Sequence, residues 1–311
     1  MLTIDQVQTI GRTVSLIALD IYDKEAPAGL MGAIAQDVPN PGGEKTVRVE
    51  WWDAFPELLQ WIDKKVVQKA YADSLSVEIE PFEITYAFDR FQSTFKTGLV
   101  KAQDLATRIG KGFGQGKLIR ALRPIRENEV CFDGQNLLDT DHVHIDGSTG
   151  SNVVTSSRGT AATPTLAEAN TELKLALARL QQNTMIRNAF VETNEAVGDT
   201  LVIVRSYAGW AAYYDLLTQP LISTSVENRF RGKFRLARDF SPASGTENTV
   251  DVINATPGGP RPSVMVVHQE PSGLMFDSAK YFDSREIPFG MEGAYGFGAG
   301  FWQPIVRVTQ P

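Results

Sequence analysis

The chain has 311 residues, 42% of them hydrophobic and 22% charged, and a formal net charge of −7. This composition is typical of a globular protein with a sizeable core and excludes an intrinsically disordered chain. The acidic balance argues against a protein that grips nucleic-acid phosphates, which would carry a basic surface. No run of about 18 apolar residues predicts a membrane span, and the first residues lack the basic start and apolar stretch of a secretory signal.

The N-terminal segment predicts an amphipathic helix over residues 3–22, because its isoleucines and valines recur every three or four residues. Thr3 with Gln6 fits a capping box at its start. Two interpretations stay open: the helix packs on its own core, or it is an arm that docks on a neighbouring subunit. The next stretch, 26–45, is rich in Gly, Pro and Ala and predicts an extended loop or hinge.

Two β regions follow. Alternating apolar residues predict a strand over 45–51 and a second over 76–88, in which Pro81 indicates an edge position or a bulge. Helical spacing predicts a helix over 55–71 between them.

A long helix is predicted from 91 to 109, with a continuation over 118–125. The four glycines of the intervening GKGFGQGK segment cost helix stability, so we expect the axis to kink or break there. This segment also invites comparison with a phosphate-binding loop. The comparison fails, because Lys111 stands where the first glycine is required and Leu118 where a Ser or Thr would hold Mg²⁺.

A polar loop is predicted over residues 131–163. Beyond it, the pattern predicts a helix, a strand, a second helix and two further strands, at 166–180, 200–206, 210–217, 263–268 and 303–309. Thr165 with Glu168 supplies a capping box for the first of these helices. The whole is an α+β chain with loops longer than a compact monomer usually carries, so we expect them to lie on neighbouring subunits.

The sequence DTDHVHID concentrates ligand chemistry in eight residues: Asp139, Asp141, His142, His144 and Asp146. Imidazole and carboxylate groups bind zinc or non-haem iron. The segment lies in a polar loop, however, and Val143 occupies a position that an EF-hand needs for an oxygen ligand. A structural loop is therefore favoured over a metal site at His142 and His144. Cys131, the single cysteine, predicts a buried inert thiol in a reducing compartment.

Several stretches resemble, in order, the Mu-like (gpT-type) major head subunit family, which has the HK97-like capsid fold. They are FPELLQWIDKKVV (55–67), FEITYAFDRF (82–91), CFDGQNLLDTDH (131–142), the helix and strand at 166–180 and 200–207, and GFGAGFWQPIVR (296–307). The DGQ…DTDH element is the most specific of them. The chain departs from the family in having Val143 after His142, where the family usually has proline.

The resemblance implies an α+β HK97-like capsid fold with five segments. These are an N-terminal arm (1–26), an extended β-loop (27–88), a peripheral domain with a long spine helix (89–185), an axial domain (186–289) and a C-terminal strand that returns to the peripheral domain (290–311).

The function that the resemblance implies is that of a major capsid protein, not an enzyme, without catalytic, cofactor or metal sites. It would self-assemble into hexamers and pentamers of an icosahedral head around double-stranded DNA, without sequence-specific binding and without a membrane. Portal, scaffold and head-decoration proteins would be partners, with assembly in the bacterial cytoplasm and residence in the virion. Two alternatives remain: an encapsulin-like compartment shell, and a metal-dependent enzyme that uses His142 and His144.

Overall fold

The structure is a computed structural model of the chain. It describes residues 13–22, 28–40, 42–52, 72–89, 96–143, 149–158, 163–183, 199–223, 226–240, 246–273 and 286–310. The helix predicted over 55–71 lies outside these residues. None of the described helices is long and apolar enough to cross a membrane.

The first of two five-stranded sheets has the order β1-β12-β13-β3-β2. Its strands are β1 (Ala35–Pro39), β2 (Thr46–Trp52), β3 (Ala72–Asp89), β12 (Ser263–Gly273) and β13 (Glu286–Ala299). β1 runs parallel to β12, and the other neighbours are antiparallel. Residues far apart in the chain thus form one sheet.

The predicted β-strands at 45–51 and 76–88 are confirmed as β2 and β3, which is longer than expected. β3 pairs with β2 through residues 72–78 and with β13 through residues 79–89. Pro81 lies in the second part, where β13 is the one strand neighbour within the described ranges. An edge position suits proline, which has no N–H to donate to a second neighbour.

The segment 26–45, predicted to be an extended loop or hinge, instead contains a helix, α2 (Ala28–Ile34), followed directly by β1. Ala33 and Ile34 are buried in the core between the sheets, and β1 pairs with β12 more than 220 residues away. The prediction was wrong because these contacts with distant residues outweigh the local Gly and Pro signals.

The spine helix α3 (Lys96–Ala121) runs without a break through the glycine-rich segment, and α4 (Arg123–Glu127) follows after one turn residue. The predicted kink or break is therefore wrong. At ~1.5 Å per residue the 26 residues of α3 extend over ~39 Å. Ala106, Ile109 and Phe113 bury one face of α3 on the first sheet.

The helix α1 comprises residues 13–22 within the described part of the chain. Val14, Ala18 and Tyr22 are buried in the same core cluster as α3 and the first sheet. A Cβ atom on Gly110 of α3 would lie 2.4 Å from the carbonyl oxygen of Ala18, so the two helices are in backbone contact. For residues 13–22 this packing supports the first of the two interpretations, a helix on its own core.

The second sheet has the order β10-β7-β11-β14-β6. Its strands are β6 (Val153–Thr155), β7 (Thr200–Val204), β10 (Phe234–Arg238), β11 (Val250–Asn254) and β14 (Ile305–Thr309). Two helices, α5 (Leu166–Gln182) and α6 (Tyr207–Thr218), cover it and bury a shared apolar cluster. Short hairpins complete the chain: β4 (His142–Val143) with β5 (Thr149–Gly150), and β8 (Leu221–Ser223) with β9 (Val226–Glu227).

Local sequence signals account well for this second layer. The capping box at α5 is confirmed: Thr165 Oγ1 accepts from the Glu168 N–H at 3.3 Å, and the Glu168 carboxylate accepts from the Thr165 N–H at 2.7 Å. β7, α6 and β14 also lie where the pattern placed them.

The elements that pack together on the second sheet come from more than one of the predicted segments. α5 belongs to the predicted peripheral segment 89–185, yet it packs on the second sheet with α6. β14 pairs with β11 on one side and with β6 on the other, which joins the predicted axial segment 186–289 to the segment before it. The segment boundaries themselves stay predictions.

Candidate functional site

The loop that follows α4 is held by buried and partly buried polar side chains. α4 ends at Asn128, whose backbone is left-handed (φ 54°). The Asn128 side chain donates to the carbonyl of Leu138 at 3.0 Å and accepts from its N–H at 2.7 Å. Farther along, buried Asn152 donates to the carbonyls of Leu137 and Trp302 at 2.7 and 3.1 Å. Two asparagine side chains thus fix the loop between α4 and the C-terminal strand.

Within this loop, the Asp133 carboxylate joins two side chains. Asp133 Oδ1 accepts from the Cys131 thiol at 2.7 Å, and Asp133 Oδ2 lies 2.7 Å from His142 Nδ1. The His142 ring stacks on the indole of Trp302, with centroids 4.3 Å apart and planes 3° apart. Cys131, His142 and Trp302 are all buried. We call these four residues the Asp133 cluster.

The electrostatics of the cluster follow from its burial. Burial raises the pKa of the Cys131 thiol well above its usual range, and the hydrogen bond to Asp133 raises it further. Burial also favours a higher pKa for Asp133, but the hydrogen bonds from His142 and Cys131 outweigh it and lower the pKa of that carboxyl. At neutral pH the cluster therefore holds a protonated thiol and a charged carboxylate.

The described members of the candidate ligand set, Asp139, Asp141 and His142, do not all have the same environment. His142 is buried in the Asp133 cluster, whereas exposed Asp141 interacts with Asp139, and their hydrogen bond and like charges raise the pKa of Asp141. His144 and Asp146 lie outside the described residues. The sequence patterns drew attention to His142 as an alternative metal ligand, but not to Asp133, its hydrogen-bond partner nine positions upstream.

In the described part of the chain, one group of three side chains has the composition of a metal site: Cys131, Asp133 and His142, whose ligand atoms lie within 4.8 Å of one another. A metal ion would need a Cys131 thiolate. The raised thiol pKa opposes that form, and the Asp133 oxygens already accept hydrogen bonds. The geometry fits a buried hydrogen-bonded cluster that stabilises the loop better than it fits a metal centre.

We expect Cys131 to resist alkylation by iodoacetamide in the native protein and to react within minutes once the chain is unfolded in guanidinium chloride. Burial and a protonated sulfur both suppress attack, because the thiolate is the nucleophile. The His142→Ala variant should open the cluster and raise the native alkylation rate at least tenfold, as measured by mass spectrometry. Equal rates for native wild type and the unfolded chain would contradict this account.

Basic residues are concentrated in the stretch 108–126. Its cations are engaged inside the chain: Lys117 Nζ donates to Tyr22 Oη at 3.0 Å, and Arg123 Nε donates to Glu129 at 2.8 Å. The Arg120 guanidinium lies 5.1 Å from the centre of the Phe82 ring. These residues fasten the spine helix to its surroundings.

A chain of buried charges, which the sequence analysis missed, connects α4 to the second sheet. Arg126 pairs with Asp239, and Arg205 lies between Asp239 and Asp251. Arg307 closes the series, with its Nε 2.7 Å from Asp251 Oδ1 and an Nη atom 3.0 Å from the carbonyl of Ile125 in α4. We call this series the ionic chain. Charged residues inside or beside apolar strands, as in TVDVIN, are the one signal that the sequence offers for it.

Comparisons with known proteins agree with this architecture. Residues 24–169 match the family described as Mu-like prophage major head subunit gpT. The major capsid protein of Escherichia phage Mu is 29% identical over 125 residues, which is 34% of this chain and 36% of that protein. The chain thus covers about a third of that relative.

Solved capsid structures resemble most of the chain. The mature capsid of bacteriophage PhiM1 gives a TM-score of 0.59 at 9% identity, and the capsid of the cyanophage P-SCSP1u gives 0.58 at 8%. Each comparison covers 90% of this chain and 86% of the other. The predicted α+β fold of the HK97-like capsid proteins is confirmed. The matched family consists of structural head subunits and not of enzymes. Residues 24–169 are therefore similar to the Mu-like gpT major head subunit family, within a chain that has the HK97-like capsid fold.

Proposed function

We propose that this chain is the major capsid subunit of a phage or prophage head. One observation carries the proposal: the gpT family match over residues 24–169 coincides with capsid-like architecture over 90% of the chain. Phage Mu's matching protein is itself named a major capsid protein. The subunits would form hexamers and pentamers of an icosahedral shell around double-stranded DNA.

The internal contacts suit such a role. A shell subunit has to keep its shape while many modest interfaces add up over the symmetry of the particle. The Asp133 cluster and the ionic chain fix α4 and the C-terminal strand by buried polar contacts. Assembly in the bacterial cytoplasm, and portal, scaffold and decoration proteins as partners, belong to the same proposal.

Electron microscopy of the expressed chain tests the proposal. We expect closed shells of uniform diameter when the chain is produced in a bacterial cell, alone or with the proteins encoded beside it. Particles from an infected or induced host should contain DNA that resists nuclease. Subunits that stay monomeric under every one of these conditions would contradict the proposal. Shells that enclose a protein cargo and no DNA would favour the encapsulin-like alternative.

A further inference from the structure

Helix α6 carries a row of exposed aromatic side chains on the second layer. Tyr207, Trp210 and Tyr214 recur at intervals of three and four residues, which places them on one helix face. Tyr207 is 65% exposed and Tyr214 is 49% exposed. Their rings stack in series, with centroids 6.1 Å apart from Tyr207 to Trp210 and 5.0 Å apart from Trp210 to Tyr214. The row is ordered by its own contacts although it faces solvent.

The row continues onto the end of the edge strand β10. The Arg238 guanidinium lies 5.4 Å from the centre of the Tyr207 ring and 4.8 Å from that of Phe240. Phe240 is 77% exposed. These five residues, Tyr207, Trp210, Tyr214, Arg238 and Phe240, form what we call the aromatic–arginine patch. Arg238 and Phe240 also line a groove of about 540 Å³ whose wall includes Leu118 and Ile119 of the spine helix.

The size and composition of the patch point to a protein interface. The surface of an aromatic side chain is ~150–250 Å², so the exposed parts of Tyr207, Tyr214 and Phe240 amount to about 290–480 Å². The largest apolar patch on a typical monomer is of about this size and is often functional. Trp, Tyr and Arg are also the residues that dominate binding energy at interfaces.

The charge of the patch indicates what covers it. Arg238 has no carboxylate partner among the described residues, and its buried Nε has no hydrogen-bond acceptor there. At the other end of β10, Arg229, Arg231 and Lys233 are also exposed on the turn before the strand, without an ion pair to any residue that the structure describes. The covering surface should therefore be acidic.

The chain itself offers such a surface on the first sheet. Glu83 of β3 lies directly opposite Glu292 of β13, and both are exposed without an ion pair within the described ranges. Like charges opposite each other on a sheet destabilise it. A cation from a neighbouring molecule would relieve that repulsion. Rings of identical subunits use head-to-tail contacts between two different surfaces of the same chain.

We infer that the aromatic–arginine patch binds a second copy of this chain, and that the Glu83–Glu292 pair of that copy faces Arg238. The inference rests on the shell function proposed above. It assigns one head-to-tail contact between neighbouring subunits to two surfaces. One is the aromatic–arginine patch of the first copy, and the other is the Glu83–Glu292 pair on the first sheet of the second copy. Burial of the aromatic row supplies the apolar part of the contact, and the charges set its register.

Two serine substitutions test the patch. Tyr207→Ser with Phe240→Ser should raise the subunit concentration needed for assembly at least tenfold, measured by light scattering and negative-stain microscopy. Both side chains are mostly exposed, so the thermal unfolding midpoint of the subunit should stay within about 2 °C of wild type. Val130→Ser with Val143→Ser is the matched control, because these residues are 53% and 51% exposed elsewhere. The control should assemble like wild type.

Charge reversal tests the proposed partner surface. Arg238→Glu alone, and Glu83→Lys with Glu292→Lys alone, should each impair assembly, and all three together should restore it. Absence of restoration would overturn the pairing. Normal assembly of the serine variant, with or without loss of some other protein from the particle, would overturn the inference while leaving the proposed function intact. A wild-type chain that never assembles would refute the proposed function itself.

Discussion

The Asp251→Asn variant is expected to lose about 3–5 kcal/mol of unfolding free energy, enough to unfold many domains outright. Asp251 is fully buried and accepts hydrogen bonds from both Arg205 and Arg307. Removal of its charge leaves two buried guanidinium groups without their shared carboxylate. The cost comes from those stranded cations, because a buried charge without a partner cannot recover the solvation that it lost.

Guanidinium chloride unfolding of the unassembled subunit, followed by circular dichroism, measures this loss. Asp104→Asn provides the contrast, since the Asp104–Arg108 pair is exposed on α3 and its removal should leave the midpoint nearly unchanged. A second contrast replaces all three charges: Arg205→Met, Asp251→Leu and Arg307→Met together should recover much of the loss. If the single variant is as stable as wild type, the ionic chain contributes little to the fold.

The lowered pKa of Asp251 predicts that the folded subunit loses stability in acid. Burial favours a higher pKa for Asp251, but Arg205 and Arg307 outweigh it and lower the pKa to about 2. In the unfolded chain an aspartate titrates near ~3.9. The stabilisation is therefore complete above about pH 4 and is lost as the pH falls from about 4 toward 2. The subunit should unfold more easily across that window.

The parts of the fold that could be predicted are those whose signal is local. α5 was predicted with its capping box because Thr165 and Glu168 stand three residues apart at the start of an apolar repeat. β7 was predicted because four of its five residues, 201–204, form a continuous apolar run. In both cases the residues that determine the element lie within it.

The parts that could not be predicted depend on partners far away in the chain. His142 stacks on Trp302, 160 positions downstream. No pattern in the sequence around either residue indicates this contact. The ionic chain brings residues of α4 together with Asp239, Asp251 and Arg307. Periodicity and composition contain no information about such pairings, which arise only when the two sheets pack together.

The glycines of the spine helix show the same limit most directly. Each one weakens a helix by roughly 1 kcal/mol relative to alanine, so a local argument predicts a break. At Gly110, however, the missing side chain admits the backbone of α1, with the Ala18 carbonyl oxygen 2.4 Å from where a Cβ would lie. The close packing of α1 with α3 offsets the local cost.

Two alanine substitutions should therefore have opposite signs in the same helix. Gly110→Ala is expected to destabilise the subunit by about 1–3 kcal/mol, because the new Cβ meets backbone that cannot rotate away. Gly116→Ala should stabilise it by roughly 0.5–1 kcal/mol, since no atom lies within 4 Å of the added Cβ there. Denaturant unfolding of both variants measures the difference. A stabilising Gly110→Ala would mean that α1 does not pack on the spine helix in solution, and would return residues 13–22 to the interpretation of an arm that docks on a neighbour.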